Sequence, residues 1–184
     1  MNKRFLALTL GALALGSVWA SVPAKADSFD SGYTQVNSFN DGWKSFNGKW
    51  FYQYYQGNFA TGWLHDRGSW YYLDSLGIMK TGWMKISGNW YYFNTDGKMF
   101  SGWVQSNNVW YFMSINGNML ANTWFKDGND WYYLESDGSM KIGWLNWNGA
   151  TYYLKANGTM ATSMFKLNEI HYYPDTTGAI KTRG

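Results

Sequence analysis

The sequence predicts an all-β fold, a repeat solenoid of about seven stacked β-hairpins. Three observations predict it. A tryptophan recurs at Trp43, Trp63, Trp83, Trp103, Trp124 and Trp144, in steps of 20 residues with one step of 21. Each interval holds two short aromatic or β-branched runs separated by a turn such as "NGK", "RGS", "SGN" or "NGA". Nearly every residue after 41 belongs to one of these intervals, which leaves no room for a second domain. An isolated two-stranded hairpin is marginal in water, whereas stacked hairpins bury a continuous core.

Taken in order, residues 1–26 read as a secretory signal peptide. Lys3 and Arg4 precede an apolar run from Phe5 to about Ala20, and Ala24-Lys25-Ala26 is a small-x-small cleavage site. The rival reading is a retained membrane anchor, but the run is short against the about 20 apolar residues that a span needs. The chain carries 15 basic and 12 acidic residues. Lys3, Arg4 and Lys25 lie in the leader, which has no acid, so the mature chain keeps 15 − 3 = 12 bases against 12 acids. A neutral chain gives no reason to expect nucleic acid or bulk attraction to a polyanion. Cysteine is absent, which excludes disulfides, thiol catalysis and a lipidated cysteine. The expected mature protein is exported without a membrane span or covalent anchor. Residues 27–41 fit no phase and form a short lead-in to an array over 42–184.

Within the array, Trp50, Trp70, Trp90, Trp110 and Trp131 follow the marker by seven residues, with Thr151 and His171 in the last two units. A glycine follows seven later, from Gly57 to Gly178. Met79, Met99, Met119, Met140 and Met160 come two after that. Eleven of the twelve tryptophans outside the leader fall on these phases, and Trp147 alone does not. The seventh unit has Met164 at the marker and reads as a cap or a self-association surface.

Strand side chains alternate faces. Trp83, Trp90 and Tyr92 should therefore share one side of their hairpin, with Trp83 across from Tyr92. Tyr71, Tyr91, Tyr111, Tyr132 and Tyr152 should point to the other side with the apolar residues. Tryptophan is large and rarely fully buried. Two per unit in so thin a stack suggest a surface built from aromatic faces. Such faces attract a weakly hydrated cation by about 0.5–2 kcal/mol, and aromatic cages recognise quaternary ammonium groups. A trimethylammonium head is bulky and diffusely positive, and it offers no N–H to a carboxylate.

The pattern in Gly62-Trp63, Trp70-Tyr71-Tyr72, Gly77, Met79 and Thr81-Gly82-Trp83 resembles the choline-binding (cell-wall-binding) repeat over about residues 42–184. That family occurs in Gram-positive surface proteins and wall-lytic enzymes. The resemblance implies a left-handed superhelix with choline sites between neighbouring hairpins, where phosphocholine of teichoic or lipoteichoic acid binds. It implies two tryptophans from one hairpin and a tyrosine from the next at each site, with methionine nearby. By position the sites would be Trp43, Trp50 and Tyr72; Trp63, Trp70 and Tyr92; Trp83, Trp90 and Phe112; Trp103, Trp110 and Tyr133; and Trp124, Trp131 and Tyr153. In the sixth, Thr151 replaces a tryptophan beside Trp144 and Tyr173, so that site is expected to be empty or weak. The expected protein is secreted and held non-covalently at the cell wall. Several weak sites on one array gain avidity on a polymer that repeats its ligand.

No enzyme is expected, and no cofactor or metal. His65 and His171 lie in non-equivalent units, Glu135 and Glu169 have no matched partner, and Asp74, Asp96, Asp137 and Asp175 sit where aspartate favours turns. Two alternatives stay open. One is glycan binding, since similar aromatic-glycine repeats occur in glucan-binding regions and Asn89, Asn107, Asn108 and Asn148 could bind hydroxyls. The other is an adhesive or structural protein anchored by its repeats, with a second copy docking through 144–184.

Overall fold

Fourteen strands form seven antiparallel hairpins in the computed structural model, which describes residues 41–55 and 57–180. The signal-peptide reading of 1–26 and nearly all of the lead-in lie outside the described residues. Hairpin one pairs β1 (Gly42–Phe46) with β2 (Lys49–Gln53), and hairpin two pairs β3 (Gly62–Asp66) with β4 (Ser69–Leu73). Hairpins three and four pair β5 (Gly82–Ile86) with β6 (Asn89–Phe93) and β7 (Gly102–Ser106) with β8 (Val109–Met113). Hairpins five and six pair β9 (Thr123–Asp127) with β10 (Asp130–Leu134) and β11 (Gly143–Trp147) with β12 (Ala150–Leu154). Hairpin seven shortens to three-residue strands, β13 (Phe165–Leu167) and β14 (Ile170–Tyr172). Among the described residues there is no helix.

Two-residue turns fix each register. Arg67 and Gly68 sit at φ 47° and 79°, the double positive φ of a I′ turn, and Asn107 and Asn108 do the same without glycine. Hence Trp83 stands opposite Tyr92 and Lys85 opposite Trp90 with no bulge, as the sequence pattern requires.

Each hairpin is stitched to the one before it by its own following loop. The Met79 N–H donates to the Trp50 carbonyl at 2.8 Å, and Met99 to Trp70 at 2.7 Å. Met119 to Trp90, Met140 to Trp110, Met160 to Trp131 and Ile180 to Thr151 continue the series at 2.7–2.8 Å. The loops close on themselves through bonds such as Gly77 N–H to the Asp74 carbonyl, 2.9 Å. Asp74 fits its turn role, because its carboxylate accepts the Leu76 and Ile78 N–H groups and pairs with Lys80 at 2.5 Å.

One glycine column is required twice over. Gly97 has φ +76°, and a Cβ there would lie 2.3 Å from Met79 Sδ. Only glycine lets the loop of one unit rest on the methionine of the preceding one. The core is a second column, made of the last residue of the second strand in hairpins two to six. Leu73, Phe93, Met113, Leu134 and Leu154 are fully sealed from solvent.

Candidate aromatic clefts between hairpins

Alternation gives every hairpin two unlike faces. In hairpin two, Trp63, Trp70 and Tyr72 share the forward face, while Leu64, Tyr71 and Leu73 share the backward face. The rings obey this. Trp63 meets Trp70 edge-on at 6.2 Å and Tyr72 at 5.4 Å. Trp83 repeats it with Trp90 at 6.3 Å and Tyr92 at 5.4 Å, and Trp103 with Trp110 at 6.3 Å and Phe112 at 5.2 Å. The forward face of one hairpin then packs against the backward face of the next. Trp43 lies 4.6 Å from Tyr71, Trp63 4.9 Å from Tyr91, Trp83 5.1 Å from Tyr111, Trp103 4.9 Å from Tyr132, and Trp124 5.1 Å from Tyr152.

The ring that meets each first tryptophan from the next hairpin is therefore a different one from that which the repeat resemblance implied. Tyr72, Tyr92, Phe112, Tyr133 and Tyr153 belong to the same face as the tryptophans of their own hairpin and pack there; Tyr133, for example, lies 5.3 Å from Trp124. They cannot face the tryptophans of the hairpin before. The residue one earlier does, since it projects backward. The middle tyrosines do share a face with the apolar residues, as expected. What alternation alone hides is that this face is the far wall of the preceding cleft. The third cleft consequently has Tyr111, not a phenylalanine, as its far ring. In the sixth, Tyr172 rather than Tyr173 faces Trp144, at 4.9 Å.

The rings border real openings. One cleft of about 370 Å³ is lined by Trp43, Trp50, Tyr71 and Met79, with Thr95, Asp96 and Lys98 at its rim. Another of about 240 Å³ is lined by Trp103, Trp110, Tyr132, Met140 and Asn157. The second tryptophan of each pair is the more open ring: Trp50 is 46 % exposed, and Trp70, Trp90, Trp110 and Trp131 range from 38 to 45 %. The first is fixed by its neighbours. The Trp43 Nε1–H donates to Asp66 and the Trp103 Nε1–H to Asp127, both at 3.0 Å. Burial, with the carboxylates of Asp130 and Asp127 adding to it, pushes the Tyr132 phenol above its ordinary value. The far wall of that cleft therefore stays uncharged through the neutral range.

The sixth interface is built differently. Thr151 spends its hydroxyl on Asn146, at 2.8 Å, and Phe165 stacks on Tyr153 at 4.7 Å and on Tyr172 at 5.3 Å. Sequence reasoning also missed Trp147, which meets Trp124 at 6.3 Å. Its only sequence signal is that it falls off every phase. Among the described residues no cluster of three or more His, Asp or Glu is placed to hold a metal, and no helix is long and apolar enough to cross a membrane.

Seven hairpins with an aromatic cleft between neighbours define a repeat protein built to present the same site several times. The chain belongs to the choline-binding repeat family, which matches residues 80–124 and 125–165, while the cell wall binding repeat matches 61–79. Among solved structures it is similar to CbpJ of Streptococcus pneumoniae TIGR4, at 37% identity with a TM-score of 0.72, over 77% of this chain and 52% of that one. Choline binding protein F of Streptococcus pneumoniae is similar at 39% identity and a TM-score of 0.69, over 77% and 52%. The same protein in complex with ipratropium matches at 35% identity and a TM-score of 0.67, over 77% and 54%. The chain thus spans about half the length of the structures it matches. A search of curated proteins gives no match.

Proposed function

We propose that the array is a non-catalytic cell-wall-binding module whose clefts hold the trimethylammonium group of choline on teichoic or lipoteichoic acid. The observation that carries this reading is a tryptophan faced by a tyrosine from the next hairpin, repeated five times, with a second, solvent-open tryptophan on each of those hairpins and the two indoles perpendicular in three of them. Three ring faces offer a cation negative quadrupole and apolar contact together. The walls in this reading are Trp43, Trp50 and Tyr71; Trp63, Trp70 and Tyr91; Trp83, Trp90 and Tyr111; Trp103, Trp110 and Tyr132; and Trp124, Trp131 and Tyr152. Ipratropium, the ligand of the similar protein F, carries a quaternary ammonium, which supports a cation as the occupant.

One weak site would not retain an exported protein. Several on one array turn later engagements into intramolecular ones and raise avidity by about 10²–10⁴. With 1–26 as a leader, the protein reaches the wall by export and stays by binding. The test is calorimetric titration with choline, with maltose and dextran as controls. The expected result is saturable choline binding at about five sites per chain and no response to the sugars. Heat from dextran with none from choline overturns the reading in favour of a glycan.

A further inference from the structure

Trp147 is the tryptophan that the repeat does not explain. It ends β11 on the backward face of hairpin six, and Ala150 opposite it leaves its ring room. That face packs on Trp124 of hairpin five, through Trp147 and Tyr152. Its ring meets Trp124 at 6.3 Å with an interplanar angle of 82°. The tryptophan pairs of the second, third and fourth clefts show nearly the same geometry, at 6.2–6.3 Å and 86–89°. Trp147 thus makes with Trp124 the relation that forms those corners. It is 38 % exposed, so part of the ring is open to solvent.

The same position in other hairpins already touches the preceding tryptophan. Asp66 and Asp127 hold that place in hairpins two and five, and each accepts the indole N–H of the tryptophan before it at 3.0 Å. In the fifth cleft the position carries a ring instead of a carboxylate.

We propose that Trp147 is a fourth wall of the fifth cleft, which with Trp124, Trp131 and Tyr152 takes quaternary ammonium ions more tightly than the three-ring clefts. This rests on the ammonium reading given above. One further ring over a desolvated cation tightens binding by about 2- to 30-fold. A fourth face also encloses all the methyl groups of the head, so the cleft should favour a trimethylated over an unmethylated amine more strongly than its neighbours do.

The experiment labels the full chain with 5-fluorotryptophan and follows its fluorine resonances during titration with choline, and in parallel with ethanolamine. The Trp147 resonance is assigned by its loss in Trp147→Asp, a change that installs the residue found at this place in hairpins two and five. The expected result is that the Trp147 and Trp124 resonances move together, with a midpoint about 2- to 30-fold below that of Trp70. In Trp147→Asp the Trp124 midpoint should rise to match. A Trp147 resonance that stays fixed while Trp70 and Trp110 saturate overturns this inference alone. So does a Trp124 midpoint that is unchanged or tighter in the variant, which would mean that Trp147 blocks the cleft. Silence at every tryptophan overturns the ammonium reading as well.

Discussion

Two columns run through the array with the same 20-residue rhythm and opposite characters. The column Leu73, Phe93, Met113, Leu134 and Leu154 has no solvent exposure at all, yet it mixes three leucines with a phenylalanine and a methionine. The column Trp50, Trp70, Trp90, Trp110 and Trp131 is one residue type throughout, and each ring is 38 to 46 % exposed. A sealed position asks only for apolar volume, which leucine, phenylalanine and methionine supply about equally well. An open ring that must offer a face at a fixed angle can be little else. Uniform residue type with exposure marks the working surface here, and mixed type with burial marks the scaffold.

Breaking the first column should cost most. Phe93→Ala opens a cavity between hairpins and is expected to lower stability by about 3–5 kcal/mol, read as a drop in urea midpoint with an unchanged slope. Gly117→Ala comes next. Its φ is +80°, and the new Cβ would lie 2.2 Å from Met99 Sδ, so about 1–3 kcal/mol should be lost unless that side chain swings away.

The second column should respond in binding with little change in folding. Trp70→Ala is expected to remove one choline per chain while shifting the urea midpoint little, and collapse of the array would place that ring in the core instead. Tyr91→Leu and Tyr92→Leu separate the two candidate walls of the second cleft. The first should remove that cleft's choline, and the second should leave the count unchanged.

The smallest effect concerns acid. Burial acts to raise the Asp74 carboxyl, but the Lys80 ammonium and the Ile78 and Leu76 N–H groups outweigh it and hold the carboxyl below its ordinary value. A depressed folded value means that this group stabilises the fold above the unfolded carboxylate range and ceases to as the pH falls through its folded value. Asp74→Asn should therefore lower the neutral plateau of a stability-against-pH curve slightly and flatten its acid limb, so that variant and parent converge at low pH.

Repeat number, hairpin boundaries and the paired tryptophans were legible in the sequence because Trp63, Trp70, Gly77 and Met79 recur as the same letters. The sealed column was not, because Leu73, Phe93 and Met113 share burial without sharing identity. That Tyr71 and not Tyr72 packs on Trp43 was not legible, because alternation assigns each residue a face but not the neighbour that the face meets. Stacking decides that, through contacts 28 residues apart such as Trp43 with Tyr71. The role of Trp147 could not be read, since its equivalents are Phe46, Asp66, Ile86, Ser106, Asp127 and Leu167, which share no chemistry.

The single amide stitch from each methionine to the previous tryptophan carbonyl has an evolutionary corollary. Duplicating or excising one whole period restores every junction, since each joins only adjacent periods and all are alike. If the clefts bind a wall polymer as proposed, valency toward it is gained or lost in integer steps by recombination within a gene, with no intermediate that must invent a new way to fold.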